Sequence, residues 1–144
     1  MSSKETLEKV EAFGHENIQA THLSTLMLTK EKHLSNTGDC IVAVAANKSL
    51  ADLNETFKRR LKNSNAKLTI IIDADGLSEQ INAFGSPKLM LTHPTEMVIR
   101  KSEFISERTL AIHADKSSND LSRKLVEKLK NPDQKIAITL IVHS

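Results

Sequence analysis

The sequence predicts a mainly β, α+β domain with two helices, assembled from two tandem repeats about an approximate two-fold axis. Three observations carry this. The first is self-similarity: Val10-Glu11-Ala12-Phe13-Gly14 matches Ile81-Asn82-Ala83-Phe84-Gly85, and the register continues through Thr21-His22 with Thr92-His93, Leu26-Met27-Leu28 with Met97-Val98-Ile99, and Lys30 with Lys101. A longer connection containing Asn36-Thr37-Gly38 interrupts the first half. The match then resumes at Ala46 with Ala114, Lys48-Ser49 with Lys116-Ser117, Asp52-Leu53 with Asp120-Leu121, Leu61-Lys62-Asn63 with Leu129-Lys130-Asn131, and Ile70 with Ile138. The second observation is apolar alternation at period two over much of each half, and the third is one stretch per half with helical spacing. The expected organisation is one domain over 1–144, with repeat one at 1–74 and repeat two at 75–144, joined at the turn-forming Asp73-Ala74-Asp75-Gly76.

Taken in order, each unit opens with a short strand ending at Phe13 or Phe84, after which Gly14 or Gly85 marks a bend. A longer strand is expected next, with Ile18, Ala20, His22, Ser24, Leu26 and Leu28 on one face. Its copy carries Leu89, Leu91, His93, Thr95, Met97 and Ile99, broken at Pro94. A third strand spans 40–46 or 109–114 and is almost wholly apolar in the first half, as for a strand covered on both faces. An amphipathic helix then places Leu50, Leu53, Phe57 and Leu61, or Leu121, Leu125 and Leu129, on one side. Ser49 with Asp52 and Ser117 with Asp120 have capping-box spacing, and Asn63 and Asn131-Pro132 are stop signals. A last strand, 67–73 or 135–142, returns to the sheet. Each half alone is too small for a comfortable core, so the halves are expected to share one.

Composition narrows the function classes. A net charge of +2 makes no demand for a nucleic-acid partner, and the absence of Tyr and Trp removes most aromatic platforms for unpaired bases. The single cysteine, Cys40, cannot form an internal disulfide and suits a reducing cytoplasm. Met1-Ser2-Ser3-Lys4-Glu5 lacks an apolar signal core, and no run reaches the ~18 apolar residues of a membrane span. A cytoplasmic protein without membrane attachment is expected.

The segments Gly14-His15-Glu16-Asn17-Ile18-Gln19-Ala20-Thr21-His22, Gly38-Asp39-Cys40-Ile41, Arg100-Lys101-Ser102 and Arg108-Thr109-Leu110-Ala111-Ile112-His113-Ala114-Asp115-Lys116 together resemble an archaeal family known only as a domain of unknown function. The likeness covers most of the chain. It implies a jelly-roll-like β-sandwich and an archaeal source, and it implies no activity. Two positions depart from the family pattern, which often has an acidic residue at Met27 and Asp at Asn47.

Candidate site residues fall into groups. Lys48 and Lys116 stand at the two helix starts, where a cation is mildly unfavourable against the helix dipole. They therefore suggest an anion site, with Arg100 and Arg108 adding charge near the second; the alternative is pairing with nearby acids. The ligand would be a phosphate-bearing small molecule or nucleic acid. No glycine-rich phosphate loop is present, and the basic outer face Lys58-Arg59-Arg60 with Lys62 is read first as a solvated surface. His22 and His93 occupy equivalent positions and are either metal ligands or acid–base groups, or else core histidines bonded to backbone. A competing reading is an enzyme whose site joins His15, His22 and His93 with Asp39 or Cys40 between the halves, and a third is a structural or assembly subunit. No zinc or calcium ligand spacing is present, so neither metal nor cofactor is expected.

Overall fold

A computed structural model describes residues 5–35 and 37–144. The opening Met1-Ser2-Ser3-Lys4, and Asn36 of the first connection, lie outside the described residues. Eight strands form two four-stranded sheets accompanied by two short helices. The elements are β1 (Glu5–Phe13), β2 (Thr25–Thr29), β3 (Ile41–Ala43), α1 (Glu55–Leu61), β4 (Lys67–Ala74), β5 (Leu77–Phe84), β6 (Glu96–Arg100), β7 (Thr109–Ala111), α2 (Arg123–Leu129) and β8 (Lys135–His143). A 3₁₀ turn precedes each helix, at Leu50–Asp52 and Ser118–Asp120.

One sheet has the order β1-β8-β4-β5 and is antiparallel throughout. Its alternation is clean. Leu68, Ile70, Ile72 and Ala74 of β4 and Ile136, Ile138, Leu140 and Val142 of β8 are buried, while their neighbours along each strand are not. The other sheet has the order β3-β2-β6-β7, with β2 and β6 antiparallel and the outer pairs parallel. Those outer strands are three residues long, and each parallel pairing carries a register shift. Side chains of both sheets and both helices merge into one core. In the first sheet, strands of residues 1–74 alternate with strands of 75–144, so neither half owns a contiguous piece of it.

β4 and β5 are joined by Asp75-Gly76, both at positive φ, the two-residue hairpin turn whose twist matches the strands. Gly14 and Gly85 do more than bend the chain. Gly14 N–H donates to the Gln134 carbonyl and Gly85 N–H to that of Ala66. A Cβ at Gly14 would overlap the Leu129 and Asn131 carbonyl oxygens, and one at Gly85 the Leu61 carbonyl. Each glycine thus lets the start of one half rest on the helix end of the other.

Three expectations are corrected. The strand ending at Phe13 or Phe84 is long, nine residues in β1 and eight in β5. The long strand through Ile18 and Leu28 is instead an irregular segment followed by the five-residue β2, and the same holds before β6. Ile18, Ala20, Leu89 and Leu91 are buried, so alternation was present, but Ala20 (φ 52) and Leu91 (φ 54) are left-handed and break the ladder. Finally, each helix is two pieces. Leu53 and Leu121 are extended and buried between the 3₁₀ turn and the helix, and Asn54 and Ser122 restart the chain as N-caps, accepting from the N–H groups of Thr56 and Lys124.

Candidate functional site

The helix-start lysines are each held by an acid from a distant strand. Lys48 Nζ lies 2.8 Å from Glu8 Oε1, and Lys116 Nζ lies 2.9 Å from Glu79 Oε2. The second oxygen of each carboxylate accepts a backbone N–H, that of Asn54 for Glu8 and that of Ser122 for Glu79. Glu8 is only 7% exposed. A buried carboxylate needs both a counter-charge and hydrogen bonds, and this arrangement supplies both while satisfying an N–H at the helix start. Glu8 and Glu79 were absent from the sequence reading. Their signal was available, because each shares the inward parity of the apolar residue two places further on, Val10 or Ile81.

The carboxylate limb of the capping box forms in both halves. Asp52 accepts from Ser49 N–H and pairs with Lys30, while Asp120 accepts from Ser117 N–H and pairs with Lys101. The hydrogen bond from Lys101, then that from Ser117, holds the Asp120 carboxyl down at about 2. Asp52 is lowered by Ser49 N–H first and Lys30 second. Ser49 Oγ donates to the carbonyls of His93 and Glu96, tying the first turn to the second half. Asn47 and Asp115 have matching tasks, accepting from the N–H groups of Glu11 and Asn82.

The histidines are turn-formers. His22 Nδ1 accepts from the N–H groups of Ser24 and Thr25, and His93 Nδ1 from those of Thr95 and Glu96. His15 Nδ1 accepts from Asn17 N–H. An accepting Nδ1 places the proton of the neutral ring on Nε2. His22 and Asp39 meet through the backbone, the Asp39 carbonyl accepting from Thr21 and His22. His93 lies elsewhere. In the β2–β6 ladder Thr25 opposes Arg100 and Thr29 opposes Glu96, so the His22 turn at Thr25 and the His93 turn at Glu96 stand at opposite ends, roughly 14 Å apart at the rise of an antiparallel strand. The two helix starts follow the same division, because Asn119 N–H donates to the His22 carbonyl and Ala51 N–H to that of His93. The five residues of the enzyme reading therefore do not share one cleft.

Arg100 donates to Thr109 Oγ1 and Ser106 Oγ and stacks over Phe104, its guanidinium 5.0 Å from the ring centroid. Burial, then the nearby Arg108, lowers its pKa from the usual guanidinium value. Arg108 pairs with Glu96 at 3.0 Å. Burial pushes the Cys40 thiol up, with Asp39 acting in the same direction and the Thr25 side chain and Arg108 opposing. A protonated thiol is a poor nucleophile. Among the described residues no three His, Cys, Asp or Glu side chains gather as a metal site, and no helix is long and apolar enough to cross a membrane.

Two cationic groups without an ion-pair partner among the described residues, Arg59 and Lys62, are found on α1 and at its C-cap. Lys58, Arg59 and Lys62 line an open depression of about 400 Å³ with Glu55, Met90, Leu91 and Thr92. Lys58 lies 3.7 Å from Glu55 and donates to the Ala51 carbonyl. Among the described residues, no carboxylate forms an ion pair with Arg59 or Lys62.

Fold and site define a small two-sheet α+β protein whose helices are clamped at their starts by glutamates of β1 and β5. The chain belongs to the family described as Domain of unknown function (DUF371), which matches residues 10–143. It is similar to a protein of the archaeon Methanocaldococcus jannaschii named "Uncharacterized protein MJ0206", with 46% identity over 121 residues, 84% of this chain and 89% of that one.

Proposed function

We propose that this is a cytoplasmic anion-binding protein that takes a phosphate-bearing partner on the basic side of α1. The observation that carries the reading is the depression lined by Lys58, Arg59 and Lys62, in which Arg59 and Lys62 have no ion-pair partner among the described residues. Six other cationic groups, Lys30, Lys48, Lys101, Arg108, Lys116 and Lys128, already sit in ion pairs of 3.0 Å or less. An incoming phosphate at Lys48 or Lys116 has to displace a carboxylate that also caps a helix, whereas at Arg59 and Lys62 it displaces only water. The anion therefore belongs at the helix face, and Lys48 and Lys116 serve as its scaffold.

We also read residues 1–74 and 75–144 as diverged copies of one unit within a single domain. The recurrence of the Glu–Lys clasp, the Asp–Lys pair and the glycine seats at equivalent positions supports this. On that reading α2 is the copy that lost the free cationic face: Lys128 pairs with Asp75, Lys130 lies near Glu127, and Arg123 donates to backbone carbonyls.

The test is the shift in thermal unfolding midpoint produced by pyrophosphate at low salt, with a short single-stranded oligonucleotide as a second probe. Arg59→Ala combined with Lys62→Ala is expected to abolish the shift. Lys48→Met and Lys116→Met are expected to lower the midpoint yet retain the ligand-induced increment. Retention of the shift in the double variant would remove α1 from the proposal.

A further inference from the structure

A second depression lies beside the connection at 101–108. It has a volume of about 660 Å³, and its lining includes Lys88, Ser102, Glu103, Phe104, Ile105 and His113. The equivalent place in the first half is closed. There Asn17, the counterpart of Lys88, donates its side-chain N–H to the Leu34 carbonyl, and Leu34 is 3% exposed within the longer connection at 30–40. The connection at 101–108 is shorter, and at the place of Leu34 it carries Ile105, which packs against the core but is only partly buried. In both halves the backbone beneath is the same: Ala45 N–H donates to the Glu31 carbonyl and His113 N–H to the Ser102 carbonyl. A groove lies open beside Ile105 on an otherwise matching frame.

What the groove exposes is chemically specific. Among the described residues, no carboxylate pairs with the ammonium of Lys88, and no cation pairs with the carboxylate of Glu103. Phe104 is 61% exposed, yet it is backed by the Arg100 guanidinium, which is itself fixed by Ser106 and Thr109. An exposed aromatic ring held in place by a stacked cation offers a prepared π-surface. His113, at positive φ, lies edge-on to Phe84 at 6.4 Å, which orients its ring at the other side of the groove. Ile105 adds apolar area.

We propose that this groove binds a small planar aromatic anion of mononucleotide size. The planar ring stacks on Phe104, the anionic group meets Lys88 and His113, and Glu103 accepts from a hydroxyl or amino group of the ligand. The groove's volume falls in the range of about 300–1,000 Å³ typical of small-molecule pockets. A bare phosphate gains only the cation and meets the repulsion of Glu103, so the site selects for a ligand that also carries a ring and a donor. This site is independent of the α1 face.

The experiment is an amide-correlation NMR titration of the full chain with AMP, adenosine and inorganic phosphate, repeated for Lys88→Ala, Phe104→Ala and the Arg59→Ala, Lys62→Ala double variant. Lys88 and Phe104 are exposed, so spectral dispersion will show that their variants remain folded. Saturable AMP shifts at residues 86, 88, 102–105 and 112–113 are expected, with affinity at least about tenfold weaker for each other probe and for each of the two groove variants. The α1 double variant is expected to bind AMP at this groove as the wild type does. The proposal is overturned if AMP gives no saturable shift by about 5 mM, if Lys88→Ala and Phe104→Ala leave its affinity unchanged, or if the shifts appear only on α1.

Discussion

Lys48 and Glu8, 40 residues apart in the chain, meet at 2.8 Å, and the same carboxylate also receives the N–H of Asn54 at the start of α1. One buried side chain thereby ties β1 to the helix. Replacing Glu8 with Gln removes the counter-charge of Lys48 while keeping a side-chain acceptor for Asn54 N–H; replacing it with Leu removes both. With Lys48 a third exposed, its charge can turn to water. We therefore expect Glu8→Gln to cost ~1–2 kcal/mol and Glu8→Leu ~3 kcal/mol, measured by urea unfolding. Glu79→Gln and Glu79→Leu are expected to follow the same order. Equal costs for Gln and Leu would show that the N–H bond contributes nothing.

The glycine seats give a prediction about the joint between the halves. Gly14 and Gly85 are required by close approach to carbonyls of the opposite half, so Gly14→Ala and Gly85→Ala force the helix ends outward. The expected loss is ~1–3 kcal/mol each, as for overpacking elsewhere, and Gly76→Ala, with open space around it, costs less and only through its positive φ of 82°. Chemical denaturation of the three variants in parallel checks the order.

How far this was readable beforehand depends on the residue. The eight-strand count, the apolar helix face at Phe57 and Leu61, and the Asp52 and Asp120 caps all follow from local spacing and were legible. The irregular segments before β2 and β6 were not. Ile18, Ala20, Leu89 and Leu91 keep an alternating burial whether or not their backbone is in a ladder, and nothing at Leu91 advertises a left-handed residue. The clasp was hidden for another reason: Glu8 and Lys48 belong to different elements, and only tertiary packing joins them. The groove at Phe104 brings Lys88 together with residues 102–105 and His113, and nothing in local spacing joins those segments.

Acid titration isolates the Asp120–Lys101 pair. The Asp120 carboxyl is lowered from its usual 3.8 to about 2 in the folded protein. A depressed acid stabilises the fold above its unfolded value and loses that contribution as pH falls through the folded value. The contribution of Asp120 is therefore full above about pH 4 and disappears toward pH 2. Unfolding midpoints of wild type and Asp120→Asn should differ at pH 6 and converge as pH approaches 2. A difference that persists unchanged at pH 2 would show that the ionised carboxylate is not its source.

The paired histidines make the last prediction, which separates a turn-forming role from a chemical one. His22 Nδ1 receives two backbone N–H groups, at 3.1 and 3.0 Å, and His93 Nδ1 receives two at 3.2 and 3.0 Å. A side-chain amide carbonyl stands at nearly the same distance from the backbone as Nδ1, so Asn can accept the same donors, whereas Leu cannot. His22→Asn and His93→Asn are expected to lose under ~1 kcal/mol and to leave the amide signals of residues 24–25 and 95–96 near their native positions. His22→Leu and His93→Leu leave two N–H groups without an acceptor and are expected to lose ~1–3 kcal/mol each, partly relieved by water because the turns are only half-buried. Rescue by Asn identifies the acceptor as what these positions need. If Asn is as damaging as Leu, the ring itself is required, and a chemical role for the pair returns.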